Sequence, residues 1–336
     1  MFLTCLNLSI RASYMILAVM LIRLLFSKAG RKYMVWLWIA VGIRLICPFS
    51  ISSLPTVLPH TEVIPSDIAV SPTPRIASGF HTVDQAVNQV LQNNFMPAQA
   101  ASVNPLQIIT AAASYVWIAG IAFMLGYMIL SSVILKRKIM HISPHVGGIV
   151  ESSQFEAPFV FGVFRPVICL PQCYEEEKKK MILLHERTHI ERKDHILKPA
   201  AFIVLSVYWF NPLVWLVYRL LCKDIEMACD EAVIQKMKRK ERSTYAKTLL
   251  ECASSGHTAA APVAFGETDV KSRIKNILKY RKPSFVFVAC LLVFALVICA
   301  GCFADQKAEP QESETPDIQP VKTVLTVEEL IQDPEP

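Results

Sequence analysis

The residues His185-Glu186-Arg187-Thr188-His189 form an H-E-x-x-H motif, and the interpretation of the whole chain starts from it. The motif follows an apolar turn at 181–184, in a segment that opens with three glutamates, whose charge favours a helix N-terminus. Because residues four apart share a helix face, His185 and His189 can offer two imidazoles to one metal ion. Glu186 lies beside them, where its carboxylate can take a proton from water at the metal. The motif therefore predicts a zinc-dependent catalytic site with Glu186 as the base.

A catalytic zinc ion needs a third protein ligand and one open position. Downstream, the run Asp224-Ile-Glu226-Met-Ala-Cys-Asp230 follows an apolar stretch and continues into a helix. Glu226 and Asp230 are four apart and share a face, so Glu226 is the predicted third ligand. Asp230 is predicted to accept a hydrogen bond from a ligand imidazole and orient it. We interpret the nearby cysteines as small buried side chains and the nearby histidine as a surface or supporting residue. These rival ligands are Cys222, Cys229 and His195.

The apolar composition indicates a membrane protein. Of the 336 residues, 53% are hydrophobic and only 18% are charged, against about 25% charged in soluble domains. Apolar runs of about 20 residues predict transmembrane helices. Two lie within 1–51, joined by a short basic loop, and two more lie at 108–135 and 283–303. The predicted fold is mainly α: a four-helix multi-pass membrane protein with a gluzincin-like protease domain that contains a small β-sheet between Gly147 and Pro171.

The placement of Lys and Arg orients these helices. Of 34 such residues, 25 fall between Lys136 and Lys282, whereas the segment 52–107 has only Arg75. Because positively charged loops stay in the cytoplasm, the protease domain 136–282 is predicted to be cytoplasmic. The segment 52–107 is then an extracellular loop and 304–336 a short acidic extracellular tail. Both termini are expected outside a bacterial cell membrane.

The apolar run 196–221 is long enough to cross the membrane. A single crossing would put His185 and Glu226 on opposite sides, where they could not share a metal. It would also place the basic segment 223–282 outside, against the charge rule. We therefore expect 196–221 to be membrane-associated: it should enter the membrane and return, or lie along it, as a helical hairpin broken at Asn211-Pro212.

Together these residues resemble the penicillin-sensing signal-transducer metalloproteases of Gram-positive bacteria, the BlaR/MecR type. The resemblance covers the four-helix plan and the whole of 136–282. The matching pieces are Pro158-Phe-Val-Phe-Gly-Val-Phe-Arg-Pro-Val-Ile-Cys-Leu-Pro171, His185-Glu-Arg-Thr-His189 with Arg192-Lys-Asp194, Asn211-Pro-Leu-Val-Trp215, Asp224-Ile-Glu-Met-Ala-Cys-Asp230, and Phe265-Gly-Glu with Arg273-Ile-Lys-Asn-Ile-Leu278.

The resemblance implies that His185, His189 and Glu226 bind zinc and that Glu186 is the base. It also implies a cytoplasmic protease that, when signalled, cleaves itself and leads to loss of a small DNA-binding repressor. The expected partners are a protein or peptide substrate, such as a winged-helix repressor, and the lipid bilayer, without direct binding of nucleic acid. Whether the chain forms a homodimer is left open. About 33 residues follow the last predicted span, with no Ser-x-x-Lys among them, so sensing of beta-lactams by acylation is not expected.

The segment Ser254–Asp269 holds small residues, two Gly and one Pro, which predict an exposed loop. It is our candidate for the self-cleavage site, with an ordinary linker as the alternative. One alternative for the whole chain is a housekeeping membrane protease of the prenyl-protein-processing or heat-shock type. Another is a non-catalytic membrane receptor with a relic zinc site. The intact motif argues against a relic, because a site that no longer catalyses a reaction is expected to lose Glu186 first.

Overall fold

The computed structural model describes residues 1–26, 30–47, 63–71, 73–95, 104–142, 148–172, 174–255 and 270–303. Within these ranges the helices are α1 Phe2–Leu25, α2 Arg31–Ile46, α3 His81–Asn94, α4 Pro105–Met140, α5 Glu176–Glu191, α6 Asp194–Val207, α7 Pro212–Lys236, α8 Glu241–Ser255, α9 Val270–Lys279 and α10 Phe285–Phe303. The strands are β1 Ile149–Glu151, β2 Phe159–Phe161 and β3 Val167–Leu170. The predicted mainly helical class with a small sheet is confirmed. The acidic tail and nearly all of the candidate cleavage segment lie outside the described residues.

Two helices are long and apolar enough to cross a membrane, judged by length and composition within the described residues. They are α1 and α4, and α4 buries none of its most apolar stretch. A shorter apolar stretch lies in α10, at Phe285–Ile298. The helix α2, at 16 residues, is shorter than the roughly 20 residues that span a bilayer upright. The four-span plan therefore stays a prediction for α2 and α10.

The sheet has the order β1-β3-β2, with β1 parallel and β2 antiparallel to the central β3. Strand β2 is therefore an edge strand, and both β2 and β3 lie against α5. The turn between β2 and β3 starts at Gly162, whose φ of 103° brings the Arg165 carbonyl oxygen within 2.7 Å of where a Cβ would stand. A side chain at residue 162 would clash there.

The helices α6 and α7 form an antiparallel hairpin with its turn at Asn211-Pro212. The Asn211 side chain accepts a hydrogen bond from the Leu213 backbone N–H and caps α7, while Pro212 fits the first helical position. The Asn211 amide also donates to the Ser9 hydroxyl of α1 at 2.8 Å. These contacts fix the hairpin tip among the other apolar helices.

The hydrophobic core of this bundle is formed by α1, α2, α6, α7 and α10. Its polar centre is Asp224 of α7, which is fully buried. Arg23 of α1 donates to both Asp224 oxygens at 3.0 Å. From α2, the Trp38 indole N–H donates to Asp224 Oδ2 at 2.9 Å and Arg31 lies 3.4 Å from Oδ1. One carboxylate thus joins three helices.

Replacing Asp224 by Ala should lower the free energy of unfolding by about 3–5 kcal/mol, because it leaves Arg23 and Arg31 partly buried without their counter-ion. A thermal melt of the purified protein in detergent measures the loss. Glu177→Ala, which removes an exposed acid from α5, is the matched control. Equal melting temperatures for both variants would contradict the ionic contact as a structural requirement.

Candidate metal centre

The motif residues lie on α5, as their spacing predicts, and they are buried. His185, Glu186 and His189 are 5%, 6% and 7% exposed. One turn of helix brings the two imidazoles together, with 3.1 Å between His185 Nε2 and His189 Nε2. Within the described part of the chain, Glu186 forms no hydrogen bond or ion pair. It is therefore a buried carboxylate without a counter-charge of its own.

Glu226 of α7 completes a triangle with the two imidazoles. Its Oε2 lies 3.6 Å from His185 Nε2, and its Oε1 lies 3.5 Å from His189 Nε2. A tetrahedral ion with metal–ligand bonds of about 2.1 Å needs ligand atoms about 3.4 Å apart. Each imidazole nitrogen stands at about such a distance from the other and from its nearer Glu226 oxygen, which is Oε2 for His185 and Oε1 for His189. The structure thus places Glu226 beside both His185 and His189, as the predicted ligand set requires.

The tautomers of both histidines follow from their other ring nitrogens. Asp194 Oδ2 accepts a hydrogen bond from His189 Nδ1 at 2.8 Å. The Tyr245 hydroxyl gives its one proton to Asp230 Oδ1, so its oxygen accepts from His185 Nδ1, also at 2.8 Å. Both Nε2 atoms then carry lone pairs that face each other. Two facing lone pairs repel unless a proton or a metal ion lies between them, so the pair can hold either one.

The predicted role of Asp230 is close to what the structure contains. Asp230 Oδ1 lies 3.4 Å from His185 Nδ1, but Tyr245 of α8 stands between them as the nearer partner. The partner of the other imidazole is Asp194, the first residue of α6. It reaches His189 because Lys193 takes a left-handed conformation, φ 61°, and turns the chain sharply after α5. Sequence analysis did not assign a role to Asp194 or Tyr245.

Among the rival ligands, only Cys229 belongs to the cluster. His185, His189 and Cys229 can place one ligand atom each within 4.8 Å of one another. The Cys229 sulfur lies 3.6 Å from His185 Nδ1, the nitrogen that also faces Tyr245. Burial raises the pKa of the Cys229 thiol, but the two imidazoles outweigh burial and lower it. Cys229 is thus more than a buried apolar side chain, and it is the alternative third ligand.

Side-chain cations surround Glu226. Lys198 of α6 donates to Oε1 at 2.7 Å, and Arg273 of α9 lies 3.4 Å from Oε2. Burial raises the pKa of Glu226, but Lys198, His189 and Arg273 outweigh burial and hold the pKa well below its usual range. Burial likewise lowers the pKa of His185, but Cys229 and Glu226 raise it to about 10. A metal ion bound by these ligands therefore has to compete with protons and with side-chain cations.

Comparison with known proteins shows which family the chain is similar to. A family model described as BlaR1 peptidase M56 matches residues 3–277. The regulatory protein BlaR1 of Bacillus licheniformis is 29% identical over 261 residues, which is 69% of this chain and 43% of that protein. The methicillin resistance mecR1 protein of Staphylococcus aureus is 28% identical over 156 residues, 44% of this chain and 26% of that protein. The chain spans less than half the length of these curated relatives.

The choice between Glu226 and Cys229 as third ligand can be tested by metal analysis. Purified wild-type protein should hold about one zinc ion per chain, because three ligands suffice for a stable site. Glu226→Gln, which keeps the shape but removes the charge, should lose most of that zinc. Cys229→Ala should keep it. Loss of zinc from Cys229→Ala, with retention in Glu226→Gln, would exchange the two assignments.

Proposed function

The chain belongs to the BlaR1 peptidase M56 family, and we propose on that basis that it is a membrane zinc endopeptidase with a cytoplasmic active site. The observation that carries the proposal is the triangle of His185, His189 and Glu226, with Glu186 unpartnered on the same helix as the imidazoles. That donor set, two imidazoles and one carboxylate, is the one that catalytic zinc sites of peptidases use. A zinc ion held there acts as a Lewis acid toward water and the peptide carbonyl.

The other residues at the centre have separate roles in the reaction. Glu186 takes a proton from the attacking water and delivers it to the leaving nitrogen, which requires a carboxylate that no other side chain holds. Asp194 and Tyr245 keep both imidazoles turned with Nε2 toward the centre. Asp230 accepts a hydrogen bond from the Tyr245 hydroxyl and so fixes its orientation. The hydroxyl oxygen can then accept a hydrogen bond from His185 Nδ1. Because these residues are buried, water and substrate meet in a preorganised site.

An extended peptide is the substrate form that the fold favours. Strand β2 is an edge strand and lies against α5, the helix that carries the motif. A substrate strand can pair with the free edge of β2 and so pass beside Glu186. Backbone pairing of this kind is tolerant of sequence, so it fits both self-cleavage and the cleavage of another protein.

The signalling role rests on the relatives. Their names describe a regulatory protein and a methicillin resistance protein, which favours signalling over housekeeping proteolysis. We propose that the signal ends in self-cleavage within 254–269, in inactivation of a winged-helix repressor, or in both. The segment 254–269 lies between α8, whose Tyr245 supports the centre, and α9, which leads to α10. A cut there would separate α8 from α9 and α10.

The proposed membrane arrangement keeps α5, α8 and α9 on the cytoplasmic side. The helices α1, α2, α4 and α10 span the bilayer, and the hairpin of α6 and α7 enters from the cytoplasm and returns. The lysine and arginine distribution supports this orientation. The many exposed apolar side chains of α4 support it as well, since they need a lipid environment.

The catalytic role of Glu186 predicts that Glu186→Gln keeps zinc but loses proteolysis by at least about 100-fold, because the amide cannot accept the proton. Mass spectrometry of membranes should find fragments ending within 254–269 in wild type and none in the variant. Glu177→Gln, an exposed glutamate on the same helix, serves as the control and should cleave like wild type. Identical fragments from Glu186→Gln would assign the cut to another protease.

The membrane arrangement predicts opposite labelling of two exposed positions. In intact cells an impermeant maleimide should label Gln89→Cys in the outer loop, because that residue faces outward. It should label Lys240→Cys only after the cells are permeabilised. The unsubstituted chain supplies the background from its native cysteines. Labelling of Lys240→Cys in intact cells would mean that 196–221 crosses the membrane once.

A further inference from the structure

The short helix α9 places a guanidinium directly against the candidate metal ligands. Arg273 Nη2 lies 3.3 Å from His185 Nε2, and Arg273 Nη1 lies 3.4 Å from Glu226 Oε2. The same side chain forms two hydrogen bonds to Asp230, from Nε at 2.8 Å and from Nη2 at 2.9 Å. It is 12% exposed. The guanidinium is therefore held firmly by Asp230 while it faces the ligand triangle.

The atoms that Arg273 contacts are the ones that a metal ion needs. In the neutral form that can bind a metal, His185 has its proton on Nδ1 and one lone pair on Nε2. That lone pair can accept from Arg273 or bind a metal, but it cannot do both. Glu226 Oε2 pairs with the guanidinium in the same way. A dication at the centre would also lie close to a fixed positive charge, and in a buried site that repulsion is strong.

Lys198 differs from Arg273 in this respect. Its ammonium pairs with the other Glu226 oxygen, Oε1, and no contact between it and either imidazole is present in the described structure. Lys198 can stay beside Glu226 while the imidazole lone pairs are in use. Of these two cations, Arg273 on α9 is thus the one that competes directly with a metal ion for His185.

A second contact links α9 to the start of α2. Glu231 of α7 accepts a hydrogen bond from the Asn276 side chain at 3.2 Å through Oε1. Its other oxygen accepts from the Arg31 backbone N–H at 2.9 Å, at the N-terminus of α2, where a negative charge is favoured. One buried carboxylate is therefore shared between α9 and α2.

We propose that α9 controls metal loading: Arg273 and the metal ion compete for His185 Nε2 and Glu226 Oε2, and α9 has to move away before the centre takes its metal. Because Glu231 is shared, a shift at the start of α2 changes how tightly α9 is held. The inference rests on the metal centre of the proposed function. It makes the inactive state a closed, metal-poor one that the membrane helices can open.

The decisive measurement is the zinc affinity of the full-length chain in detergent, by competition with a chromophoric chelator. Arg273→Gln should bind zinc at least about tenfold more tightly than wild type, within the usual range of coupling between two sites. Lys275→Gln, which removes an exposed charge from the same helix, should stay within about twofold of wild type. An unchanged or weaker affinity in Arg273→Gln would overturn the competition and leave Arg273 a role in orienting Asp230 or in contacting substrate.

The link through Glu231 has its own test, which leaves all the ligand-facing residues intact. Asn276→Asp puts a second carboxylate against Glu231 and should displace α9, so its zinc affinity should also rise. In the wild-type chain, adding zinc should speed amide hydrogen exchange in 270–279. No change in either measurement would overturn the proposal even if Arg273→Gln failed to fold.

These readouts separate the inference from the proposed function. A chain that binds no zinc in any variant would refute both. A chain that binds zinc through Glu226 but gains no affinity from Arg273→Gln would refute the inference alone. Zinc binding that strengthens in Arg273→Gln, without proteolysis in wild type, would uphold the competition and refute the peptidase activity.

Discussion

Four buried carboxylates on α7 impose the main constraint on this structure. Asp224, Glu226, Asp230 and Glu231 are 0%, 7%, 0% and 6% exposed. A buried carboxylate costs several kcal/mol unless it is paired and hydrogen-bonded. Their partners lie on several other helices, so α1, α2, α6, α8 and α9 all have to stand where their donors reach α7. The positions of the helices around α7 are therefore set largely by the need to bring counter-charges and hydrogen-bond donors to these carboxylates.

The same helix therefore serves the apolar bundle and the candidate metal centre. Asp224 and Glu226 are two residues apart, which turns their side chains by about 200° around the helix axis. One faces Arg23 and Trp38 in the bundle, and the other faces His185 and His189. Because packed interiors transmit displacement rather than absorb it, a shift of α1 or α2 against Asp224 also moves Glu226.

Local sequence patterns predicted the site residues that lie on one helix. They could not predict contacts between residues far apart in the chain. The spacing of His185 and His189 sets their common face. The need for Glu226 on the same side of the membrane led to the hairpin at Asn211-Pro212, and the structure has that turn. Tyr245 and Arg273 lie 60 and 88 residues from His185, and no periodicity reports such a pairing. Asp194 could have been found from the sequence, because a carboxylate just past the motif helix is a plausible partner for a ligand imidazole.

Formal charge explains why a metal and Arg273 exclude each other here. Counted for the neutral imidazoles that metal binding requires, and with a neutral thiol, the buried acids at the centre are Glu186, Asp194, Glu226 and Asp230. The cations that contact them are Arg192, Lys198 and Arg273. This leaves one uncompensated negative charge, and within the described residues Glu186 is the carboxylate that forms no ion pair or hydrogen bond. A dication added to this set would reverse the imbalance to one positive charge. A dication that takes the place of Arg273 makes the centre neutral, and neutrality is what a buried site favours.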